Sequence, residues 1–294
     1  MLSEAEKVVI GVICGLIGLI LIFLIFNNFN YPKSTSNNKS LNVLIIGGSK
    51  GIGLDYAKHF LSYNDNVTIT SRKQNAIDNA INVLNNHKNL TGIVCDITSE
   101  QSLNDLFNAY NDKNIDIIIN NAGYVGRKND YLWNYASNDI ETIIKTNLYG
   151  TLLSCKLAIN NYINNNKEHK LHIFNVNGGG DAGLLVYQTS KAGVPDILKL
   201  LNKELEQSNL NDKISVHMLF PGMVWTTMLS NAMTTAKHKL PSNIINILVS
   251  TSDEITSYFV PLMRGVVFKN GNKYYDINYY GKYPPLTLFA KFIA

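Results

Sequence analysis

Tyr187 and Lys191 are the residues of this chain whose types and spacing most directly suggest acid–base chemistry. They stand four positions apart in the stretch Tyr-Gln-Thr-Ser-Lys, so on a helix both side chains project from one face. A free tyrosine has a pKa of about 10, and a neighbouring ammonium group favours the phenolate and lowers that pKa. The pair therefore predicts a tyrosine that exchanges a proton with a substrate oxygen near neutral pH. The same spacing also occurs on ordinary exposed helices, so the prediction depends on the surrounding elements.

A glycine-rich turn is the second candidate site. It consists of Gly47, Gly48, Ser49, Lys50, Gly51, Ile52 and Gly53, between a short apolar run and a helical pattern over about 52–63. Glycines let the backbone approach a pyrophosphate, and the N-terminus of the following helix offers free N–H groups and the positive end of its dipole. The turn therefore predicts a dinucleotide phosphate site, with spacing G-x-x-x-G-x-G.

Strands and helices alternate along the chain in a way that would position these residues. Short apolar, β-branched runs predict strands at 41–46, 66–70, 90–95, 115–119, 171–176 and 214–220. Helical patterns follow at about 52–63, 76–85, 99–110, 139–162 and 187–206, and weaker patterns suggest a helix at 252–263 and a strand at 266–268. This alternation predicts an α/β domain over 41–270 with a Rossmann-type, doubly wound parallel sheet.

The motifs, taken in chain order, resemble those of the short-chain dehydrogenase/reductase family over about residues 41 to 230. The glycine turn is similar to that family's T-G-x-x-x-G-x-G loop, with Ile46 in place of the threonine. Asn120-Asn121-Ala122-Gly123 matches N-N-A-G, and Asp96, after the third predicted strand, matches the aspartate that contacts adenine. The tyrosine–lysine pair matches Y-x-x-x-K, and Pro221-Gly222-Met223-Val224-Trp225-Thr226 matches P-G-x-V-x-T.

This resemblance implies an oxidoreductase that transfers hydride between a nicotinamide cofactor and a carbonyl or alcohol carbon. It implies that Tyr187 donates the proton, that Lys191 also binds the nicotinamide ribose, and that Asn147 holds a water in the proton relay. The residues expected at the cofactor are Gly47, Ser49, Lys50, Gly51, Ile52, Gly53, Ser71, Arg72, Asp96, Ile97, Asn121, Ala122, Gly123, Tyr187, Lys191, Pro221, Gly222, Val224 and Thr226.

The end of the second predicted strand favours NADP(H) over NAD(H). An NAD site places a carboxylate about 20 residues beyond the glycines, where it binds the ribose 2′-hydroxyl. Here the strand ends in Thr70-Ser71-Arg72-Lys73, which contains no acid, and Lys50 lies in the glycine turn. Cations at these positions suit a 2′-phosphate, although an exposed loop arginine is the simpler alternative for Arg72.

The loop after the fifth predicted strand departs from the family pattern. The family's catalytic serine is expected there, but no serine occurs between Ser154 and Ser190. The Asn177 amide could replace that donor, and Asp181 could do so only if protonated. The sequence Ile-Phe-Asn-Val-Asn-Gly at 173–178 resembles that of the chlorophyll-b-reductase branch of the family, which also departs from the family's serine at this point. The alternative is a catalytically weakened NADP-binding sensor or scaffold.

The N-terminal residues predict a membrane anchor. Residues 8–26 carry no charge and at ~1.5 Å per residue span about 28 Å, which is close to the thickness of a bilayer core. A flank at 1–7 precedes them and a polar linker at 27–40 follows. Lys33 and Lys39 after the span place the catalytic domain on the cytosolic side by the positive-inside rule. A cleaved signal peptide is the competing interpretation.

Composition limits the remaining possibilities. A net charge of +4 without a basic run argues against a nucleic-acid partner, and three scattered cysteines argue against a disulfide framework or a metal site. The expected partners are a lipophilic small molecule and the membrane, with a homo-oligomer suggested by the resemblance. Residues 228–248 suggest a substrate lid. The aromatic tail at 271–294 either lies at a membrane interface or packs against the domain.

Overall fold

The computed structural model describes Gly11, Gly15, Gly18 and residues 39–126, 131–178, 184–225, 249–269 and 274–279. Within this part of the chain, no helix is both long and apolar enough to cross a membrane. Apart from the three glycines, the predicted anchor at 8–26 lies outside the described residues, as do most of the linker at 27–40 and all of the lid at 228–248.

Seven parallel strands form the central sheet, in the order β3-β2-β1-β4-β5-β6-β9. They are β1 (Asn42–Ile46), β2 (Asn66–Ser71), β3 (Leu90–Val94), β4 (Ile117–Asn120), β5 (Leu171–Val176), β6 (Ile214–Phe220) and β9 (Asp276–Asn278). Two further short strands, β7 (Met223–Trp225) and β8 (Val249–Thr251), pair in parallel beside the sheet. The parallel order confirms the predicted Rossmann-like sheet.

Helices connect the strands across both faces of the sheet. They are α1 (Gly51–Ser62), α2 (Gln74–Val83), α3 (Glu100–Asn108), α4 (Ser137–Ile144), α5 (Gly150–Asn164), α6 (Leu185–Ala192), α7 (Val194–Gln207) and α8 (Ser252–Phe268). A short 3-10 turn at Leu132–Asn134 precedes α4, and a π-helical segment at Lys145–Tyr149 joins α4 to α5.

Alternate residues of the buried strands feed two separate cores. In β1, Leu44 and Ile46 pack with the face that α3, α5 and α7 cover. Val43 and Ile45 point the other way, into the core beneath α1 and α8. A strand buried on both faces needs an apolar residue at nearly every position, which explains the continuous apolar runs in the sequence.

Two helices predicted as single elements are divided. The predicted helix at 139–162 is interrupted by the π-helical segment, and the predicted helix at 187–206 breaks at Gly193. Pro195 follows in the first turn of α7, where its missing N–H leaves no hydrogen bond unmade. The chain can therefore pass from α6 to α7 with a break at Gly193, and Pro195 costs no backbone hydrogen bond there.

The predicted strand at 266–268 is wrong, because these residues form the last turn of α8. Thr251 and Glu254 form a reciprocal capping box at the start of that helix, and buried Phe259, Met263 and Val266 continue its helical spacing. A run of three β-branched or aromatic residues is too short to distinguish a strand from a buried turn of helix. The last strand is instead β9, within the predicted aromatic tail, so this described part of the tail packs against the domain.

A buried ion pair fixes the point where the chain enters the domain. Arg264 on α8 is 1% exposed and its guanidinium pairs with the carboxylate of Asp65. The same guanidinium donates to the Lys39 carbonyl over 3.1 Å, while the Leu41 amide donates to Asp65 over 2.8 Å. Both Leu41 and Asp65 immediately precede strands, so this contact lies at the amino edge of the sheet.

Candidate active site

The predicted site residues converge at the carboxyl edge of the sheet. The strand order runs outward from β1 in one direction and from β4 in the other, so the loops after these two neighbouring strands diverge to opposite faces. A crevice at such a switch point is the usual ligand site of an open parallel sheet. The glycine turn follows β1, and Asn121, Ala122 and Gly123 follow β4.

The backbones of these two loops approach each other so closely that only glycine fits at position 47. Gly47 has a φ of +85°, and a Cβ there would lie 2.8 Å from the backbone of Ala122. The side-chain Nδ2 of Asn121 donates to the Gly47 carbonyl over 2.8 Å, and the backbone N–H of Gly47 donates to Thr70 Oγ1 over 3.2 Å. The turn is therefore held in place by β2 and by the loop after β4.

The start of α1 presents unused hydrogen-bond donors towards this crevice. Lys50 is its N-cap residue, no side chain caps the helix, and its first turn contains no acidic residue. The first amide groups of a helix have no partner within the helix and attract phosphate. Ser49 is half-buried and Lys50 is exposed, so the turn from Gly51 through Ile52 to buried Gly53 suits a pyrophosphate.

The ends of β2 and β3 border the same crevice. Ser71 is half-buried at the end of β2, and Arg72 after it is exposed. The carboxylate of Asp96 accepts from both the backbone and the hydroxyl of Thr98, through its Oδ1 oxygen. Ile97 is buried, and a Cβ at Gly150 would lie 3.0 Å from it. The structure thus places all these predicted cofactor residues on consecutive loops.

Asn147 joins the loop after β4 to the helix that carries the tyrosine. It lies in the π-helical segment and is fully buried. Its Nδ2 donates to the Tyr124 carbonyl over 2.8 Å and to Ser190 Oγ over 2.9 Å, and its Oδ1 accepts from the Tyr124 amide over 2.8 Å. Ser190 Oγ in turn donates to the Tyr187 carbonyl over 2.6 Å. Sequence reasoning did not identify this role of Ser190.

Tyr187 and Lys191 share one face of α6, as predicted. Lys191 is buried, its ammonium donates to the Val176 carbonyl over 3.0 Å, and burial lowers its pKa to about 8. Burial raises the pKa of Tyr187 above its ordinary value, which is opposite to the lowering predicted from the neighbouring lysine. Desolvation of the phenolate outweighs the attraction of an ammonium group that is itself bound to a carbonyl oxygen.

Asn177 and Gly178 occupy the strand end where the serine was expected. Asn177 is 7% exposed, its Nδ2 has only the Met218 sulfur as a partner at 3.7 Å, and its Oδ1 has no partner among the described residues. A Cβ at Gly178 would lie 2.7 Å from Tyr187 Oη. Gly178 therefore contacts the tyrosine hydroxyl directly, and no local pattern in the sequence indicated this.

The segment after β6 begins at the carboxyl edge of the sheet. Pro221 is buried, Gly222 has a φ of +69°, and Val224 in β7 is buried in the core beneath α1 and α8. Thr226 and Asp181 lie outside the described residues.

Comparisons with known proteins agree with this arrangement. The short chain dehydrogenase family matches residues 41–237. Chlorophyll(ide) b reductase NOL of Arabidopsis thaliana is 34% identical over 235 residues, which cover 76% of this chain and 66% of the relative. Its counterpart in Oryza sativa is 35% identical, over 76% of this chain and 67% of the relative. The chain thus spans about two thirds of the length of these relatives.

More distant proteins share the fold. Carbonyl reductase family member 4 of Danio rerio is 29% identical, over 63% of this chain and 76% of the relative. The structure of an actinorhodin polyketide ketoreductase variant with NADPH superposes with a TM-score of 0.68 at 19% identity, over 83% of this chain and 97% of that one. ElxO with NADP bound gives a TM-score of 0.67 at 23% identity, over 82% and 98%.

Proposed function

The chain belongs to the short-chain dehydrogenase family of oxidoreductases, and we propose that it is an NADPH-dependent reductase of a carbonyl group on a lipophilic substrate. The observation that carries the proposal is the continuous contact from Asn147 through Ser190 to Tyr187, beside the glycine turn. Tyr187, Lys191 and Asn147 are all present and packed together, as proton transfer to a substrate oxygen requires.

The described residues fit a bound NADP(H). The uncapped start of α1 would hold the pyrophosphate, and Asp96 retains an oxygen without a partner among the described residues, which suits an adenine amino group. Arg72 and Lys50 would bind the 2′-phosphate, because both are exposed cations and neither the glycine turn nor the end of β2 contains a carboxylate. The nicotinamide, when bound, supplies the hydride.

Tyr187 is the proposed proton donor. Its raised pKa keeps the hydroxyl protonated at neutral pH, so it can give a proton to a carbonyl oxygen as negative charge develops there. Lys191, one helical turn further on the same face, would stabilise the resulting phenolate because its pKa of about 8 leaves it mostly charged at pH 7. Asn147 fixes the position of α6 through Ser190.

Asn177 is the proposed replacement for the serine. Rotation of its amide by half a turn exchanges Oδ1 and Nδ2, two atoms that are assigned only by their hydrogen bonds. Because Oδ1 has no partner among the described residues, that rotation gives up only the weak contact of Nδ2 with the Met218 sulfur, and it places an N–H donor where the unpartnered oxygen now lies, in the residue next to Gly178. A donor aimed at the carbonyl oxygen is worth about 10²–10³ in rate.

The names of the relatives support a lipophilic substrate. Two relatives are named as reductases of chlorophyll(ide) b and another as a carbonyl reductase family member, and chlorophyll is a lipophilic molecule. We further propose that residues 8–26 anchor the protein in a membrane with the catalytic domain on the cytosolic side, from the apolar length of that segment and the lysines after it. Protease protection of the domain in sealed microsomes would contradict this orientation.

A fluorescence titration of the full chain in detergent with NADPH and NADH tests the central proposal. Tight NADPH binding followed by its oxidation with lipophilic aldehydes or ketones is the expected result. Failure to bind either nucleotide would overturn it. Tight binding without turnover on any carbonyl would favour the alternative of an NADP-binding sensor, for which the absence of a serine between Ser154 and Ser190 is the supporting observation.

A further inference from the structure

Three consecutive apolar side chains protrude into solvent on the loop that follows β4. Tyr131, Leu132 and Trp133 are 40%, 46% and 79% exposed. The rings of Tyr131 and Trp133 stack on each other, with centroids 4.9 Å apart and planes inclined by 17°. An exposed cluster that holds a tryptophan almost entirely in water marks a contact surface, because burial of that ring elsewhere would be favourable.

The ends of this loop lie beside the catalytic residues. A Cβ at Gly126 would lie 3.1 Å from Ile143 and 3.8 Å from Tyr135, so Gly126 lies against α4 and beside Tyr135. Ile143 stands one helical turn before Asn147. Tyr124, which Asn147 holds by two hydrogen bonds, lies in the same loop two residues before Gly126.

The aromatic pair is connected to the site through Tyr135, which lies beside Gly126 in the loop that Asn147 holds. Trp133 is two residues from Tyr135, so their Cα atoms are at most about 7 Å apart. Leu185, which is 50% exposed, lies on α6 only two residues before Tyr187. Because α4 packs against α6, the aromatic pair just before α4 and Leu185 at the start of α6 lie on neighbouring elements.

We propose that the stacked rings of Tyr131 and Trp133 form a platform for the flat, apolar body of the carbonyl substrate. This inference rests on the proposed reductase function. A pair of parallel rings presents a flat face, and such faces attract other flat conjugated rings in offset stacks. A small aldehyde has no flat ring to stack on the platform. The platform therefore selects polycyclic or macrocyclic conjugated carbonyl compounds over small ones.

The platform acts on binding and not on the chemical step. Neither ring touches the reacting carbonyl, so the contact contributes equally before and during hydride transfer. Loss of such uniform binding raises KM and leaves kcat unchanged.

The test compares Trp133→Ala, Trp133→Phe and a Tyr131→Ala/Trp133→Ala double variant in the full chain. Val83→Ala is the matched control, because Val83 is 65% exposed on α2, away from this loop. The probes are 1-pyrenecarboxaldehyde, which is flat and polycyclic, and propanal. We measure the Kd of the pyrene probe by fluorescence anisotropy, and KM and kcat for both aldehydes with NADPH.

The expected result is a rise of about tenfold in Kd and KM for the pyrene probe in Trp133→Ala and the double variant. Trp133→Phe should retain most of the affinity, and Val83→Ala and the propanal kinetics should not change. An unchanged Kd for the pyrene probe in the double variant would overturn the platform, as would an equal loss with propanal. If no variant oxidises NADPH with either aldehyde, the reductase proposal fails, while the Kd values still decide whether the platform exists.

A membrane contact is the other use of such a cluster. Quenching of Trp133 fluorescence by brominated phosphatidylcholine, together with an unchanged Kd for the pyrene probe in the double variant, would assign the cluster to the membrane and overturn the platform.

Discussion

The side chain of Asn147 and the backbone of Tyr124 exchange two hydrogen bonds of 2.8 Å, one in each direction. The loop after β4 is thereby tied to the π-helical segment through a single amide. A side chain of similar size without a hydrogen-bond donor cannot make both contacts. Asn147 therefore positions the loop after β4 relative to α6 through its hydrogen bonds to Tyr124 and Ser190.

We expect Asn147→Leu to lower both stability and activity. The substitution leaves the half-buried amide and carbonyl groups of Tyr124 without these partners, and a fully buried group in that state costs about 1–3 kcal/mol, which sets the upper end of the expected loss. Urea unfolding would measure the loss of unfolding free energy, and kcat would measure the displacement of α6. Unchanged stability would contradict the role of this contact. Thr142→Leu is a suitable control, because its hydroxyl bonds only within the exposed surface of α4.

Tyr187→Phe should abolish most of the turnover and retain nucleotide binding. The phenyl ring keeps the packing of α6, whereas the proton donor is lost, and general acid catalysis is worth about 10²–10⁴ in rate. Stopped-flow NADPH oxidation and a fluorescence Kd would separate the two effects. Retention of near-normal kcat would show that another group donates the proton.

Gly178→Ala should reduce kcat by displacing the tyrosine hydroxyl. The new methyl group would lie 2.7 Å from Tyr187 Oη, which is closer than van der Waals contact. In a Tyr187→Phe background the clash disappears, so Gly178→Ala should cost less unfolding free energy there than in the natural chain. A double-mutant cycle by thermal unfolding measures this coupling. Additive effects would mean that the two groups do not touch.

Arg72→Ser should weaken NADPH binding and leave NADH binding unchanged. A charged hydrogen bond to phosphate contributes about 1.5–3 kcal/mol, so the Kd for NADPH should rise by about 10- to 100-fold. Lys88→Ser, another exposed cation, serves as the control. Equal effects on both nucleotides would assign Arg72 to the shared part of the cofactor or to general electrostatics.

Acid should destabilise the domain through two buried histidines. His172 Nδ1 and His217 Nε2 lie 3.1 Å apart, and burial lowers both pKa values, that of His172 to about 3. The unfolded chain has histidine pKa values of about 6.5 and so takes up protons first. Unfolding free energy should therefore fall as pH decreases from about 6.5 towards 3. Urea unfolding between pH 7.5 and 4.5 measures the slope, and His172→Leu should flatten it.

The sequence predicted the sheet and the site to the extent that both depend on local patterns. Continuous apolar runs located β1 and β6, and the motif spacing placed Tyr187 with Lys191 and Asn121 beside the glycine turn. Contacts between distant segments were missed. No neighbour in the chain signals that Gly178 touches Tyr187, and the raised pKa of that tyrosine depends on burial, which residue spacing does not reveal.

Helix interruptions were also beyond local patterns. The π-helical segment at Lys145–Tyr149 contains no glycine or proline, so only its packing distinguishes it from the helices on either side. Strand β9 has three residues and is stabilised by pairing with β6, because a run of that length has no preference strong enough to define a strand alone.

The contact between Arg264 and the Lys39 carbonyl lies at the end of the sheet opposite the catalytic residues. It holds the incoming chain at the amino edge of the sheet, while the glycine turn and Tyr187 lie at the carboxyl edge, about 16 Å further along five residues of β1. If the preceding residues are anchored in a membrane as proposed, an upright domain would turn its catalytic opening away from that membrane. A substrate dissolved in that membrane could then reach Tyr187 only when the domain lies on its side. The length of the segment at 27–40 would therefore control how readily the domain tilts. Shortening this segment should slow turnover of a membrane-dissolved substrate and leave turnover of water-soluble aldehydes unchanged.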